Sequence, residues 1–150
     1  MMLHMKMIRP LSIPLAAGLW LLAACSSSPR APQAGPPEVL ASGLFADKGG
    51  QHTGGSFRIE RDSGRLFVVL SDDFQTDEGP DLHLLLSPTP SDSAGNDNAN
   101  VPGAHVLAPL RALSGGQRYP LPPDLSLDSF RSVMIHCVQY SHLYGAAPLR

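Results

Sequence analysis

Arg65-Leu66-Phe67-Val68-Val69-Leu70 is the stretch that decides the fold. Its apolar run is short, rich in β-formers and bounded by Gly, Asp and Ser, which is the signature of a strand rather than a helix. Successive side chains in a strand alternate between faces, so Leu66, Val68 and Leu70 point one way and Phe67 and Val69 the other. Apolar residues on both faces predict a strand covered on both sides, central in its sheet.

The same texture recurs on either side. Ser56-Phe57-Arg58-Ile59, Asp81 to Leu86 and Ser132 to Tyr140 are short and rich in Val, Ile, Leu or aromatics, and turn residues separate them. No window sustains a 3.6-residue period, so the expectation is an all-β, single small β-sandwich-like domain. Leu82, Leu84 and Leu86 form one core face, which makes His83 between them an outward-facing or hydrogen-bonded histidine rather than a ligand. The acidic run Asp72, Asp73, Asp77, Glu78 and Asp81 lacks the regular spacing and central glycine of a calcium loop and reads as a solvated turn. Ser87 to Gly103, with three prolines, two glycines and three asparagines, is expected to be a surface loop without structure of its own. Removing residues 91–100 should then cost little, because loop closure depends only slowly on length.

The amino terminus supplies an address. Lys6 and Arg9 precede an apolar run, Leu11 to Leu22, that ends in Leu22-Ala23-Ala24-Cys25. This is the pattern of a bacterial lipoprotein signal peptide, residues 1–24, with cleavage before Cys25 and acylation of its thiol. The uncharged run Pro10 to Ala24 is shorter than the roughly 20 residues of a membrane-spanning helix, and Pro10 and Pro14 weaken it. Several acyl chains hold a protein on a bilayer far better than one. The expected location is therefore the bacterial cell envelope, on the extracytoplasmic side, with the membrane itself as a partner through the lipid anchor. Residues 25–39 carry Cys25 and a Pro/Ser-rich tether that cannot bury a core, and residues 40–149 form the domain. From Cys25 onward the chain has nine Lys plus Arg and thirteen Asp plus Glu, a net charge of −4 (9 − 13) with no basic patch, which excludes nucleic acid as a partner.

With Cys25 acylated, Cys137 is the only remaining thiol, and no internal disulfide can form. Exported domains ordinarily pair their cysteines or have none. A lone one is either a small apolar residue of a core strand or a group kept for chemistry. Strand alternation puts Val133, Ile135, Cys137 and Gln139 on one face and Met134, His136, Val138 and Tyr140 on the other, so the adjacent His136 points away from the sulfur. His142 can return toward it if the chain bends near Gly145.

Four patches occur in order: His52-Thr53-Gly54-Gly55; Gly79-Pro80-Asp81-Leu82; Gly115-Gly116-Gln117-Arg118-Tyr119-Pro120-Leu121-Pro122; and Phe130 to Tyr140 running into Tyr144-Gly145-Ala146-Ala147-Pro148-Leu149. Together they resemble the DM-thirteen domain, an extracytoplasmic β-rich family described as an electron-transfer domain and often found beside DOMON domains. The resemblance spans Leu40 to Leu149 and implies a redox role for the cysteine that falls at Cys137. The residues also have plain structural readings. Gly54 and Gly55 suit a tight turn after His52, Pro80 and Asp81 shape the start of a strand, and Tyr119 reads as a packed ring with a bonded hydroxyl.

Several roles are open to Cys137: cycling through a sulfenate, an intermolecular disulfide with a redox protein partner, or holding a copper or haem centre. A copper site of the cupredoxin kind would use Cys137 and His142 with His52, His83 or His105, although no methionine follows His142 as an axial ligand. Cys-x-x-Cys, Cys-x-x-Cys-His, Gly-x-Ser-x-Gly and His-Glu-x-x-His are all absent, which removes dithiol, covalent haem and conventional hydrolase chemistry. The competing class is a non-catalytic binding or assembly module held at the envelope.

Overall fold

The computed structural model describes residues 35–95 and 102–150. The signal segment, Cys25 and most of the tether lie outside the described residues, as does 96–101 of the long loop. The described chain is all-β. Its strands are β1 (Glu38–Leu44), β2 (Ala46–Asp47), β3 (Thr53–Gly54), β4 (Ser56–Asp62), β5 (Arg65–Leu70), β6 (Gln75–Thr76), β7 (Leu82–Ser87), β8 (His105–Pro109), β9 (Gln117–Pro120), β10 (Ser132–Cys137) and β11 (His142–Pro148). One 3-10 turn, Leu127–Ser129, precedes β10. The first strand begins at Glu38, inside the segment expected to be tether.

Two antiparallel sheets carry the architecture, in the orders β1-β4-β5-β9 and β2-β11-β10-β7-β8, and β3 with β6 forms a small ribbon. Phe57, Ile59, Val68, Leu70 and Tyr119 of the first sheet share one hydrophobic cluster with Leu82, Leu84, Leu86, Val133, Ile135 and Cys137 of the second. A core built from facing residues of two sheets is sandwich packing. β5 does sit between two neighbours. Its outward Phe67 is covered by guanidinium planes, with Arg118 3.6 Å and Arg65 5.3 Å from the ring centroid, rather than by a further layer. The β4–β5 hairpin turns on Ser63 (φ 50°) and Gly64 (φ 79°), two positive angles that match the twist of the flanking strands.

The long loop departs from expectation. Ala94 is buried in a second cluster with Leu85, Met134, Leu143 and Ala146, on the face of the five-stranded sheet opposite the main core. Ser132 Oγ donates to the Thr89 carbonyl at 2.7 Å, and the Thr89 amide donates to Ser87 Oγ at 3.0 Å. The segment after β7 is thus a packed cover. Its polar composition concealed that two alanines, Ala94 and Ala104, suffice to close a small apolar face.

That cover explains β10. All six of its residues are buried, since the other sheet lies on one side and the 88–95 segment on the other.

Candidate functional site

β10 is paired on both edges, Cys137 opposite Leu82 on β7 and opposite His142 on β11. The alternation holds along the strand: Val133, Ile135 and Cys137 enter the main core, while Met134 enters the second cluster. The strand stops at Cys137, not at Tyr140. Residues 138–141 form an exposed turn, so Gln139 and Tyr140 belong to neither sheet face. Cys137 is a free thiol with no exposed surface.

Three of the four patches converge beside it. Tyr144 and Leu82 share the thiol's cluster. The Tyr144 hydroxyl reaches the Glu78 carbonyl at 3.4 Å, and its ring meets the His142 ring edge-on, with centroids 5.7 Å apart. A Cβ on Gly79 would stand 2.8 Å from both the Tyr144 hydroxyl and Leu82 Cδ2, so a larger residue would push these two side-chain tips out of the corner that closes over Tyr144. A Cβ on Gly145 would strike the Thr53 side chain, 2.6 Å from Cγ2 and 2.7 Å from Oγ1. Thr53 is itself fixed, its hydroxyl bonded to Thr76 Oγ1 at 2.9 Å and to the Tyr144 carbonyl at 3.1 Å. Burial pushes the Tyr144 phenol above its ordinary value of 10.0, and the Asp77 carboxylate acts in the same direction.

The other candidates have separate employment. His52 Nδ1 lies 3.0 Å from Asp47 Oδ1, its Nε2 3.1 Å from Gln75 Nε2, and its amide donates to Asp77 Oδ2 at 2.8 Å. His142 Nε2 donates to the Gly49 carbonyl at 2.9 Å. His83 stands opposite the buried His136 across β7 and β10, its Nδ1 3.2 Å from the Asp81 carbonyl. His105 is on the edge strand β8. Among the described residues no three His, Cys, Asp or Glu side chains gather as a metal site. Cys137, His142 and His52 are thus not brought together in such a cluster among the described residues.

Asp81 works through its backbone as well, its carbonyl accepting the Val138 amide at 2.9 Å and so tying the second patch to the turn after Cys137. Of the first patch's glycines, Gly55 is the constrained one: φ is +86° and a Cβ would meet Phe74 backbone at 2.6 Å, whereas at Gly54 the nearest atoms are 3.6 Å away. The third patch serves the core. Tyr119 is fully buried, donates to Gln117 Oε1 at 2.6 Å and accepts from the Arg111 amide at 3.0 Å. Burial raises its phenol too, only partly opposed by Arg111. The groove of about 500 Å³ lined by Leu40, Leu66, Leu125, Phe130 and Leu149 lies at the Ser132 end of β10, remote from the thiol.

Tyr144 is the site residue that pattern reading did not single out. The signal was its position immediately before Gly145 in the fourth patch, but only the β10–β11 pairing reveals that the return strand carries it back to the thiol.

Compared with known proteins, residues 45–149 match the family model described as electron transfer DM13. No curated protein matches, and no solved structure matches.

Proposed function

The chain belongs to the electron transfer DM13 family, and from that premise we propose that it is an envelope lipoprotein whose domain exchanges electrons through Cys137. The observation that carries this reading is a lone thiol at the point where three sequence patches meet, closed in by Tyr144, Leu82 and the Gly79 corner. The thiol's couple is thiol and sulfenic acid. A peroxide supplies the oxygen: an S–O bond forms as the O–O bond breaks, sulfur gives up two electrons, and water leaves. A partner reductant then returns two electrons and two protons, releasing the oxygen as a second water. Burial limits the sulfur to small oxidants, since a protein disulfide cannot reach a residue with no exposed surface without opening the cap.

The test is treatment of the full chain with hydrogen peroxide, trapping with dimedone, and mass spectrometry. The expected adduct is on Cys137 and absent from Cys137→Ser. The complete burial of Cys137 also favours a second reading, a non-catalytic binding module with a structural cysteine. An inert thiol, with Cys137→Ser losing only stability, would establish that alternative.

Anchoring rests on the basic amino terminus and the Leu22 to Cys25 motif. Among the described residues no helix is long and apolar enough to cross a membrane. Mass spectrometry of the native protein should find acyl mass on Cys25 as the first residue, and an unmodified terminus elsewhere would refute the anchor.

A further inference from the structure

The surface above the thiol has a composition that specifies what it meets. The turn joining β10 to β11 exposes Val138 (43%) and Tyr140 (65%), although β10 itself is entirely buried. This tip is held in place. The Val138 amide donates to the Asp81 carbonyl at 2.9 Å, the Ser141 amide to the Val138 carbonyl at 3.3 Å, and Ser141 adopts φ 56°. An aromatic and a β-branched side chain exposed on a turn whose backbone is held suit the apolar centre of an interface.

Acidic residues lie on the segments that adjoin that centre. Glu78 lies at the return strand, its carbonyl 3.4 Å from the Tyr144 hydroxyl, and the Asp77 amide beside it donates to the His52 carbonyl at 3.0 Å. Asp81 is tied to the tip through Val138. Asp47 pairs with His52, whose amide binds Asp77. Lys48, through its amide on the Tyr144 carbonyl, is the cation on these segments. One lysine against Asp47, Asp77, Glu78 and Asp81 leaves −3 (1 − 4) with the histidines neutral. Arg111, across a groove from Asp81, is drawn onto the Tyr119 ring at 4.8 Å and the Arg118 carbonyl at 3.0 Å.

From the aromatic tip, the acidic residues on the adjoining segments and the thiol at the end of the same strand, we infer that residues 138–141 with Asp77, Glu78 and Asp81 form the docking surface for a cationic redox protein. The inference rests on Cys137 being the redox group. Opposite charge across the contact raises the encounter rate and orients the partner, and the contact needs little area, since electron-transfer complexes occupy the low end of interface sizes.

The probe is zinc-substituted cytochrome c, a cationic redox protein whose metal does not change oxidation state in the dark. The full chain in neutral detergent is titrated into it, and binding is read from the anisotropy of the zinc porphyrin. Binding should weaken by about tenfold or more between roughly 20 and 300 mM salt. Glu78→Gln with Asp81→Asn should weaken low-salt binding roughly five- to tenfold, and Tyr140→Ser should weaken it at both salt concentrations. The control removes the same charge from the far end of β10, roughly 17 Å away along the strand. Asp124→Asn with Asp128→Asn should stay within about twofold of the parent. Equal weakening by the two double variants would reduce the effect to net charge and overturn the surface. So would absence of binding at low salt, or equal binding of succinylated, charge-inverted probe. Cys137→Ser should dock as the parent does, so failure of docking and failure of thiol oxidation are separately visible.

Discussion

Replacing Gly145 by alanine should be among the most damaging single-atom additions to this domain. The new methyl would stand 2.6 Å from Thr53 Cγ2 and 2.7 Å from Oγ1, well inside contact distance. Thr53 has no easy retreat: it is 1% exposed, its amide donates to Asp47 Oδ1 at 2.9 Å, and it pairs with Thr76 across the β3–β6 ribbon. Overpacking of this kind costs about 1–3 kcal/mol. Displacing Thr53 also breaks its hydroxyl bonds to Thr76 and to the Tyr144 carbonyl, at about 1 kcal/mol each. The expected loss is about 3–5 kcal/mol, a large fraction of the stability of an ordinary domain. Urea unfolding should show it as a lower midpoint with little change in slope. Because Tyr144 precedes Gly145 and belongs to the core cluster that buries Cys137, iodoacetamide should also label Cys137 faster in the native variant. Thr53→Gly removes the obstructing side chain, so the double variant should be more stable than the two single losses added together, by about 2 kcal/mol. A loss below about 1 kcal/mol for Gly145→Ala, or strict additivity in the cycle, would refute the steric argument.

Two further outcomes follow from the core. Ala94→Asp should cost about 2–4 kcal/mol in the same urea assay, because it buries a carboxylate among Leu85, Met134, Leu143 and Ala146; a neutral result would mean the 88–95 segment does not seal that face. Stability should also fall in alkali. Folding raises Tyr119 and Tyr144 above 10.0, so the folded chain holds protons that the unfolded chain has released. Stability is full below pH 10 and declines as pH rises through the folded values. Tyr119→Phe should flatten that decline at the expense of the bonds to Gln117 and Arg111, and an unchanged alkaline limb would contradict it.

What the sequence made legible depended on how many neighbours each segment has. Arg65 to Leu70, apolar on both faces, is found as a strand with those bounds, and the strands at Phe57, Leu82–Leu86 and Val133 were visible for the same reason. Besides the two-residue strands β2, β3 and β6, the strands pattern reading did not find are of two kinds. β1, β8 and β9 lie at sheet edges, where one side of the backbone lacks a partner and hydrophobic demand is weak, so Glu38–Leu44, His105–Pro109 and Gln117–Pro120 carry no clear strand pattern. β11 is different, internal and almost wholly buried, yet written His142-Leu143-Tyr144-Gly145-Ala146-Ala147-Pro148, with few β-formers.

Close packing accounts for that composition. Gly145 lies against Thr53, Ala146 enters the second cluster and Ala147 the main core, so small side chains are what the space admits. Propensity scales treat small residues as weak strand formers because they ignore what lies across the strand. The reading of the site failed at the same place. Without β11 there is no return strand to bring Tyr144 beside Cys137, and attention passes to His142, whose ring turns instead to the Gly49 carbonyl. The sulfur was identifiable as the thiol that remains when Cys25 is set aside as the expected lipid anchor, but its enclosure depends on two glycines, Gly79 and Gly145, whose significance is the space they leave. If that enclosure sets the thiol's chemistry, Gly79→Ala should alter Cys137 oxidation more than it alters stability. Its methyl meets the tip of Leu82 and the Tyr144 hydroxyl, both able to yield by side-chain rotation. Comparing peroxide oxidation rates with urea midpoints for Gly79→Ala decides the point, since a shift in the midpoint alone would make the corner structural and leave the thiol indifferent to its cover.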